Sequence, residues 1–367
     1  MGISAVFVNL AKSRSQHIAF PRNAQLGLNK NRKKTMSTEN LNPGKLLQLS
    51  GSYWKTCTLH AGVKLDLFTV LGEKKCTCQD IAGRINADPR ALAMLLNALT
   101  AMELLVKEGD TWANTPQSTL FLRKDMPRYI GYMILHHQNL VESWSRLDQA
   151  VKTGSPVRGR VSHHSEEARE NFLMGMFTLA MGLAPDLVPK IDLTGRKHLL
   201  DLGGGPGTWA IFFCRHNPAL TATVYDLPTT RPFAEKTIAR FNMADRVKFS
   251  DGNYVDGPIS GLYDVAWLSH IFHGEGMDDC RRVIRKTVNA LKPGGRIIIH
   301  DFILNDTMDG PLFPALFALN MLVGTQSGRT YSENQIKDML KQAGVKKIRR
   351  IPVDTPNDSG IIMGICS

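Results

Sequence analysis

The sequence predicts an α/β protein: a Rossmann-like domain with a mostly parallel sheet of seven strands, preceded by a mainly helical domain of the winged-helix type. Two observations carry this prediction. From residue 198 onward, short apolar runs alternate with helical segments, which is the pattern of a parallel sheet covered by helices. Between residues 45 and 123, apolar residues recur at helical spacing and are followed by a turn between two short strands.

Length and charge limit the classes of protein that need to be considered. The chain has 367 residues, of which 43% are apolar and 21% are charged, and this suits two globular domains. The net charge of +12 is concentrated in residues 1–36, which hold seven Lys or Arg and no acidic residue. The remainder is only mildly basic, so its charge implies no nucleic-acid partner. The longest nearly apolar runs, 172–185 and 311–324, are shorter than the ~20 residues that span a bilayer, so we expect no membrane segment.

We predict three parts: a basic tail at 1–36, a winged-helix dimerisation domain at 37–163, and a Rossmann-like ligand-binding domain at 164–367. The tail is expected to be disordered, or absent if Met36 is the functional start. A targeting segment and a nucleic-acid arm are the alternatives. The six cysteines are widely spread, which favours reduced thiols in a cytoplasmic protein.

The first domain contains clear helix-start signals. Thr77 and Asp80 have the spacing of a capping box, and Asp88-Pro89 provides an N-cap followed by proline at the first helical position. A two-stranded wing is expected near Trp112. The helix at 89–102 offers one basic residue, Arg90, whereas binding in a DNA groove requires several phosphate contacts. These features favour dimerisation over DNA binding.

A glycine-rich turn follows the first strand of the second domain. The segment Asp201-Leu-Gly-Gly-Gly-Pro-Gly207 opens a helix, and its glycines allow a ligand to approach the backbone closely. Asp226 ends the next strand, where a carboxylate can bind ribose hydroxyls. Because Asp201 directly precedes the turn and would repel a pyrophosphate, a ligand carrying an ammonium and a sulfonium fits better.

The run LLDLGGGPG, the strand end VYDLP and the turn Leu291-Lys-Pro-Gly-Gly-Arg resemble class I S-adenosylmethionine-dependent methyltransferases. Over about residues 40–367 the chain resembles the two-domain small-molecule O-methyltransferases of plant phenolic and bacterial secondary metabolism. The resemblance implies S-adenosyl-L-methionine as cofactor, with S-adenosyl-L-homocysteine as product. It also implies a homodimer formed through the N-terminal domain and a small, aromatic or conjugated hydroxyl compound as acceptor. No metal, nucleic acid or membrane is expected to take part.

The resemblance assigns cofactor contacts position by position. Asn253 stands where the family usually has an aspartate that contacts adenine, and Asp251 is the alternative in a shifted register. The full set of expected cofactor contacts is Asp201, Gly203, Gly205, Asp226, Leu227, Gly252, Asn253, Tyr254 and Ser269.

The catalytic assignment rests on residues 267–276, which match the family stretch that usually reads Leu-His-Asp-Trp. The resemblance assigns the general base to His273, since an imidazole can take a proton from a phenol near neutral pH. It assigns the role of orienting this histidine to Asp301, at a position where the family usually has glutamate. The sequence departs from the family at Gly274-Glu275 and adds a second histidine, His270.

Acceptor-lining residues are predicted mainly on one helix, at Phe317, Asn320 and Met321. Further candidates for the acceptor wall are Trp144, Met174, Phe177, Met181 and His270, although His270 also reads as a packed residue at a strand end. Because of the departures from the family pattern, N-methylation, decarboxylation or hydroxylation on the same fold stays open. A winged-helix regulator that senses the cofactor is an alternative of another class.

Overall fold

The computed structural model describes residues 42–159 and 165–367, and residues 43–367 form one compact unit. The predicted tail at 1–36 and the predicted boundary at 163/164 lie outside the described residues. Of the described residues, the N-terminal ones form helices and one small antiparallel sheet with strand order β1-β3-β2. Their elements are α1 (Pro43–Ser50), α2 (Tyr53–Lys64), α3 (Leu67–Leu71), β1 (Cys76–Thr77), α4 (Cys78–Ile85), α5 (Pro89–Ala101), β2 (Leu105–Glu108), β3 (Thr111–Asn114), α6 (Pro116–Leu122), α7 (Gly131–Trp144) and α8 (Leu147–Thr153).

Local signals start the helices of this region where the sequence predicts them. Thr77 and Asp80 form the capping box that opens α4, and the Asp88 side chain accepts the N–H of Ala91 at the start of α5. Leu96 then packs with Phe68 and their neighbours in a buried core. The predicted helix–helix–hairpin order is therefore present. The additional strand β1 has only two residues, too few to leave a periodic signal in the sequence.

A long helix, α9 (Glu166–Leu187), connects the two parts of the compact unit. Near its start it packs on α7, where a Cβ on Gly175 would lie 2.8 Å from Met133 Cε, so the two helices approach closely. Near its end, Ala184 and Leu187 are buried in the core of the α/β domain. The helix thus holds both parts together.

The C-terminal part contains a sheet of eight strands, of which seven lie side by side in the order β10-β11-β8-β7-β4-β5-β6 while β9 pairs with β8. The five strands from β8 to β6 in this order are parallel, and β11 and β10 add an antiparallel hairpin at one edge, as predicted. Its elements are β4 (His198–Leu202), α10 (Thr208–His216), β5 (Thr221–Asp226), α11 (Arg231–Arg240), β6 (Val247–Asp251), β7 (Tyr263–Ser269), α12 (Met277–Asn289), β8 (Leu291–Leu304), α13 (Leu312–Gly324), β9 (Tyr331–Ser332), α14 (Glu333–Gln342), β10 (Lys346–Ile351) and β11 (Ser359–Ile365).

The strand order creates a crevice at the carboxyl ends of β4 and β7. The chain moves outward from β4 to β5 and β6, then returns to the other side of β4 with β7. Open α/β sheets bind ligands at such a reversal point, because the two following loops diverge there. The polar residues singled out in the sequence, Asp201, Asp226, Ser269 and Asp301, lie at or near this edge.

Among the described residues, one helical stretch, Glu166–Lys190, is long and apolar enough to cross a membrane by length and composition. It includes α9 and the short 3-10 turn after it. Ala184 and Leu187 of this stretch are fully or almost fully buried against the sheet domain. Packing in the protein interior therefore accounts for part of its apolar character.

Candidate active site

The glycine-rich loop connects β4 to α10 at the edge of the crevice. Gly203, Gly205 and Gly207 have φ angles of 66°, 53° and 79°, a region that residues with side chains rarely adopt. A Cβ on Gly203 would lie 2.5 Å from Ile271 Cγ2, whereas no atom lies within 4 Å of the equivalent position on Gly205. The loop is packed closely at Gly203 and open at Gly205, where a ligand can reach the backbone.

Asp226 ties the end of β5 to this loop. Its Oδ2 accepts the N–H of Gly205 at 2.8 Å. Its Oδ1 accepts the N–H of Leu227 at 2.7 Å and the hydroxyl of Thr230 at 3.2 Å. Burial raises the pKa of Asp226, and the donated hydrogen bonds oppose that effect. The glycine-rich loop thus holds the Asp226 carboxylate in place, beside the position where a ligand could contact the same loop.

Asp201 lies directly beneath the same loop and is fully buried. Its Oδ2 accepts the N–H of Ala210 at 3.1 Å, and no hydrogen-bond partner is found among the described residues for Oδ1. A Cβ on Gly204 would lie 2.6 Å from Asp201 Cγ, so the loop backbone covers the carboxyl. Burial, reinforced by the charge of Asp226, raises the pKa of Asp201 to about 7.

The two candidates for the adenine contact both have partners within the protein. Asp251 makes a two-pronged ion pair with Arg231, at 2.7 and 3.1 Å. The Asn253 side chain accepts the N–H of Val255 and donates to Asp256, both at 2.9 Å, which fixes a tight turn after β6.

Gly252 and Tyr254 border the same turn and lie close to the crevice. A Cβ on Gly252 would lie 1.9 Å from the Tyr225 hydroxyl, so only glycine fits there. A Cβ on Gly203 would lie 3.3 Å from Tyr254 Cε1, and the Tyr254 hydroxyl donates to Glu275 at 3.4 Å. Tyr254 therefore spans from the glycine loop to the segment that follows β7.

Ser269, at the end of β7, is held by a buried histidine. Its Oγ lies 3.0 Å from His300 Nδ1, and His300 Nε2 lies 3.0 Å from Ser359 Oγ. Burial, followed by the charge of His270, lowers the pKa of His300 well below its usual value, so this imidazole is neutral. A hydrogen-bonded chain thus runs from the crevice through His300 into β11.

His273 and Asp301 are brought together as predicted from the resemblance. The 3-10 turn Phe272–Gly274 carries His273, whose Nδ1 lies 2.7 Å from Asp301 Oδ1. Asp301 Oδ2 accepts the N–H groups of Phe272 and His273, and Oδ1 accepts that of Phe302. Burial would raise the pKa of Asp301, but His273 and His270 hold it well below its usual range. The carboxylate therefore stays ionised.

His270 places a second imidazole against the same carboxylate. Its Nδ1 lies 3.7 Å from Asp301 Oδ1 and makes no hydrogen bond to any described residue. Its φ of 57° is in the left-handed region, and its ring packs 4.5 Å from those of His300 and Phe302. The side-chain atoms of His270, His273 and Asp301 that could bind a cation lie within 4.8 Å of one another.

The acceptor candidates on α13 lie beside His273. The Phe317 ring lies edge-on to that of His273 at 4.8 Å, and Phe302 and Phe313 extend this aromatic cluster. One turn further along α13, Asn320 Oδ1 accepts the indole N–H of Trp144 at 3.2 Å, and Met321 is buried next to it. Four predicted residues, Trp144, Phe317, Asn320 and Met321, thus belong to one region.

Phe177, a predicted acceptor-wall residue on α9, packs against the end of α11 in the structure. Its ring is buried against Phe241 at the end of α11, and the Arg240 guanidinium lies 5.8 Å from the ring centre. Met174 and Met181 lie three residues before and four residues after it, on the same helix face. A role for these three residues of α9 in the acceptor wall stays a prediction.

Several residues of the site were missed by the sequence reasoning. Phe302 and Phe313 complete the aromatic cluster, Glu275 binds the Tyr254 hydroxyl, and Ser359 supports His300. Phe302 directly follows Asp301 in β8, and side-chain alternation would place the two on opposite faces, so the sequence carried no signal for it. The others come together only through tertiary contacts that no local pattern marks.

Comparison with known proteins defines the family. The O-methyltransferase domain profile matches residues 146–346, and the O-methyltransferase dimerisation domain profile matches residues 47–124. The chain belongs to the S-adenosylmethionine-dependent O-methyltransferases that carry a dimerisation domain.

The relatives and solved structures agree with this assignment. The 3-hydroxy-5-methyl-1-naphthoate 3-O-methyltransferase of Streptomyces sahachiroi is 30% identical over 88% of this chain and 95% of its own. The tetracenomycin polyketide synthesis 8-O-methyl transferase of Streptomyces glaucescens is 32% identical over 87% of this chain and 96% of its own. The structure of an O-methyltransferase family protein from Burkholderia thailandensis superposes with a TM-score of 0.81 at 28% identity, covering 89% of this chain and 98% of that one. The protein is thus a small-molecule O-methyltransferase.

The residues of the crevice fit the family cofactor, S-adenosylmethionine. The loop is open at Gly205, and the buried Asp201 carboxyl beneath it retains one oxygen without a partner among the described residues. A cationic amino-acid moiety at this place would favour the ionised form of Asp201, which burial disfavours. Asp226 lies beside the same loop, at the end of the neighbouring strand.

Proposed function

We propose that this enzyme methylates a hydroxyl group of a small aromatic or conjugated metabolite, with His273 as the general base and Asp301 as the residue that orients it. The single observation that carries the proposal is the 2.7 Å contact between His273 Nδ1 and Asp301 Oδ1. An ionised carboxylate accepts a hydrogen bond, so Nδ1 carries the proton and the lone pair lies on Nε2.

The environment of the pair supports proton removal by Nε2. No hydrogen-bond partner for His273 Nε2 is found among the described residues, so the lone pair is available to an acceptor hydroxyl. Three backbone N–H groups hold Asp301 in one orientation, and its lowered pKa keeps it charged. The charge of Asp301 then stabilises the imidazolium that forms when His273 takes the proton.

The cofactor contacts are proposed as assigned by the resemblance. Gly203, Gly205 and Asp201 would hold the amino-acid end, Asp226 and Leu227 the ribose, and residues of the 251–254 turn the adenine. Ser269, held by His300, borders the same crevice. S-adenosylmethionine supplies an electrophilic methyl group on a sulfonium when it is bound. The protein has to bring the acceptor oxygen in line and remove its proton.

The acceptor class is proposed from the aromatic cluster beside the base. Phe302, Phe313 and Phe317 surround His273 on the α13 side, and Trp144 and Asn320 continue the wall. Aromatic side chains favour planar, conjugated ligands through offset or edge-on packing. The hydroxynaphthoate and tetracenomycin enzymes named above are relatives whose names give compounds of this kind, which supports a polycyclic phenolic acceptor for this chain.

A homodimer formed through the N-terminal domain is part of the proposal. Besides the match to the dimerisation domain, the first two helices expose large apolar side chains with no cover from the described residues. Leu47 and Leu49 on α1 are 71% and 72% exposed, and Trp54 on α2 is 67% exposed. Apolar exposure of this extent in adjacent turns indicates an interface between subunits.

We also propose that the module of α4, α5, β2 and β3 is a winged helix used for dimerisation and not for DNA. Its α5 helix has one basic residue, Arg90, which is too few for groove binding. A cytoplasmic enzyme is proposed on the basis of its six unpaired cysteines, which suit a reducing compartment. We propose that neither membrane nor nucleic acid takes part in the reaction.

The experiment that tests the function is a comparison of wild type with His273→Ala. Binding of S-adenosylhomocysteine is measured by calorimetry, and methyl transfer to a panel of naphthols and hydroxynaphthoates is measured by mass spectrometry. We expect both proteins to bind the nucleoside and only the wild type to methylate a phenolic acceptor at an appreciable rate. Failure of the folded wild type to bind S-adenosylhomocysteine would overturn the proposal.

A further inference from the structure

Arg158 lies in the segment after α8 that is attached to the end of α13. The backbone N–H groups of Val157 and Arg158 both donate to Val323 O, at 3.0 and 3.2 Å. These bonds fix the start of the Arg158 side chain beside the last turn of α13. The position of its guanidinium is therefore determined by the same helix that carries Phe317 and Asn320.

The guanidinium lies flat against α13 at a glycine. A Cβ on Gly324 would lie 2.5 Å from Arg158 Cζ, so a larger residue at 324 would displace the side chain. One guanidinium nitrogen donates to Asn320 Oδ1 at 3.4 Å, and Trp144 Nε1 donates to the same oxygen at 3.2 Å. Arg158 thus donates to one residue of the proposed acceptor wall, Asn320, and shares that oxygen with a second, Trp144.

This cation has no counter-charge among the described residues. No carboxylate there lies within ion-pair distance of the guanidinium, and the buried Nε has no hydrogen-bond partner. Burial lowers the pKa of Arg158, with no opposing charge to offset it. A half-buried guanidinium without a counter-charge is costly, and an anionic ligand would offset that cost.

Two other arginines that are buried or half-buried have several partners each. Arg123 pairs with Asp125 and Glu73, and the guanidinium of Arg246 donates to three backbone carbonyls. The contacts also do not indicate that Arg158 caps the C-terminus of α13. Val323 O is taken by backbone N–H groups, and Met321 O is taken by the N–H and hydroxyl of Thr325.

We propose that Arg158 binds an anionic group of the methyl acceptor, specifically a carboxylate on the same aromatic framework as the hydroxyl that is methylated. This inference rests on the proposed function and deepens it by naming the substrate class. The planar fork of a guanidinium matches the two oxygens of a carboxylate. Asn320 Nδ2, for which the described residues offer no acceptor, provides a further donor beside it.

The spacing along α13 sets the distance between the two groups of the acceptor. Phe317, in contact with His273, precedes Asn320 by three residues and Gly324 by seven, which corresponds to about 4.5 and 10.5 Å of helix rise. In 3-hydroxy-1-naphthoate the carboxylate is meta to the hydroxyl, and the distance between these two groups falls in the lower part of this range. The aromatic ring between the two groups would lie against Phe317.

The test compares binding of two matched probes to the full-length protein saturated with S-adenosylhomocysteine. The probes are 3-hydroxy-1-naphthoate and 2-naphthol, which differ only in the carboxylate, and binding is measured by calorimetry. We expect the wild type to bind the naphthoate about 10- to 100-fold more tightly than the naphthol, as a charge-assisted contact implies. Arg158→Met should abolish this preference without changing naphthol binding, and Arg158→Lys should keep only part of it.

Controls separate recognition from folding and from the general charge of the surface. Lys152→Met removes one positive charge from the preceding helix, where Lys152 is exposed and pairs with Asp148, and it should preserve the preference. Arg158→Met should unfold at the same temperature as the wild type or higher, since it removes an unpaired half-buried charge. A clear fall in the unfolding temperature of Arg158→Met, with equally weakened binding of both probes, would indicate that Arg158 is a structural residue and would overturn the inference.

Two further outcomes distinguish this inference from the proposed function. Methylation of 2-naphthol and 3-hydroxy-1-naphthoate with equal kcat/KM by the wild type would leave the function intact and overturn the carboxylate site. Tight binding of the naphthoate that depends on Arg158, without any methyl transfer, would support the carboxylate site and contradict the proposed function.

Discussion

Nδ1 of His273 lies 2.7 Å from Oδ1 of Asp301, and the carboxylate that faces the imidazole is held by three backbone N–H groups. The first contact determines which nitrogen of the imidazole carries the proton. The others prevent the carboxylate from rotating away, so the orientation of the base is set by the backbone around it and not by side-chain packing alone.

Asp301→Asn tests whether Asp301 controls the tautomer of His273. The amide keeps the shape but can present an N–H to Nδ1, which favours the proton on Nε2 and removes the base. We expect kcat to fall about 100-fold or more, while the affinity for S-adenosylhomocysteine stays within a factor of about three. Asp301→Glu, which restores the residue usual in the family, should keep part of the activity. Equal loss in both variants would argue that Asp301 is needed only for folding.

Asp226→Asn tests the cofactor site. Gly205, Leu227 and Thr230 all donate to this carboxylate, so an amide N–H would face another donor and displace the loop. We expect S-adenosylhomocysteine to bind about 10- to 100-fold more weakly in calorimetry. Asp338→Asn, which breaks a surface ion pair with Lys341 outside the site, serves as the matched control. Unchanged affinity in Asp226→Asn would contradict the assignment of the ribose contact.

Asp201→Asn tests the buried carboxyl under the glycine loop. Since burial raises the pKa of Asp201 to about 7, the folded protein binds a proton more tightly than the unfolded chain does. The stabilisation is complete below the unfolded pKa of about 3.9 and is lost as the pH rises toward 7, with an upper bound of about 4 kcal/mol.

The amide has no such titration, so the unfolding temperature of Asp201→Asn minus that of the wild type should increase between pH 5 and pH 8. The measurement is a thermal unfolding series of both proteins without cofactor. A difference that stays constant over this range would show that the carboxyl does not titrate there.

Chelation tests the role of the cluster formed by His270, His273 and Asp301. The geometry would admit a cation, but the 2.7 Å contact of His273 with Asp301 already provides the oriented base. We expect dialysis against EDTA to leave the rate of methyl transfer unchanged, and His270→Phe to keep at least about a third of it. Loss of activity on chelation that returns with a divalent ion would mean that the cluster binds a catalytic metal.

The fold was predictable because its signals are local. The capping box at Thr77, the N-cap at Asp88 and the glycine turn after Asp201 each depend on a few adjacent residues whose geometry backbone sterics dictate. The spacing from Gly207 to Asp226 likewise follows from the length of one helix and one strand. The pairing of His273 with Asp301, 28 residues apart, was expected only because of the resemblance to a known family.

The remaining features depend on tertiary packing. Phe177 was predicted in the acceptor wall by residue type, and no local pattern indicated that its ring packs on Phe241. Whether the Asp251 carboxylate is available to adenine depends on its ion pair with Arg231, which lies on α11 and not near Asp251 in the sequence. The same question for Asn253 cannot be answered from the local sequence either. No local pattern marks Arg158, because its distinguishing property is the lack of a counter-charge among the described residues, which only the fold reveals.

The most direct test of the central claim is the rate of a single turnover with His273→Ala and enzyme-bound S-adenosylmethionine, with 3-hydroxy-1-naphthoate as acceptor. We expect unchanged binding of S-adenosylhomocysteine, a rate at least about 100-fold below that of the wild type, and recovery when the pH is raised enough to ionise the acceptor hydroxyl. A rate within about threefold of the wild type at pH 7, in a variant that binds both ligands, would contradict His273 as the general base.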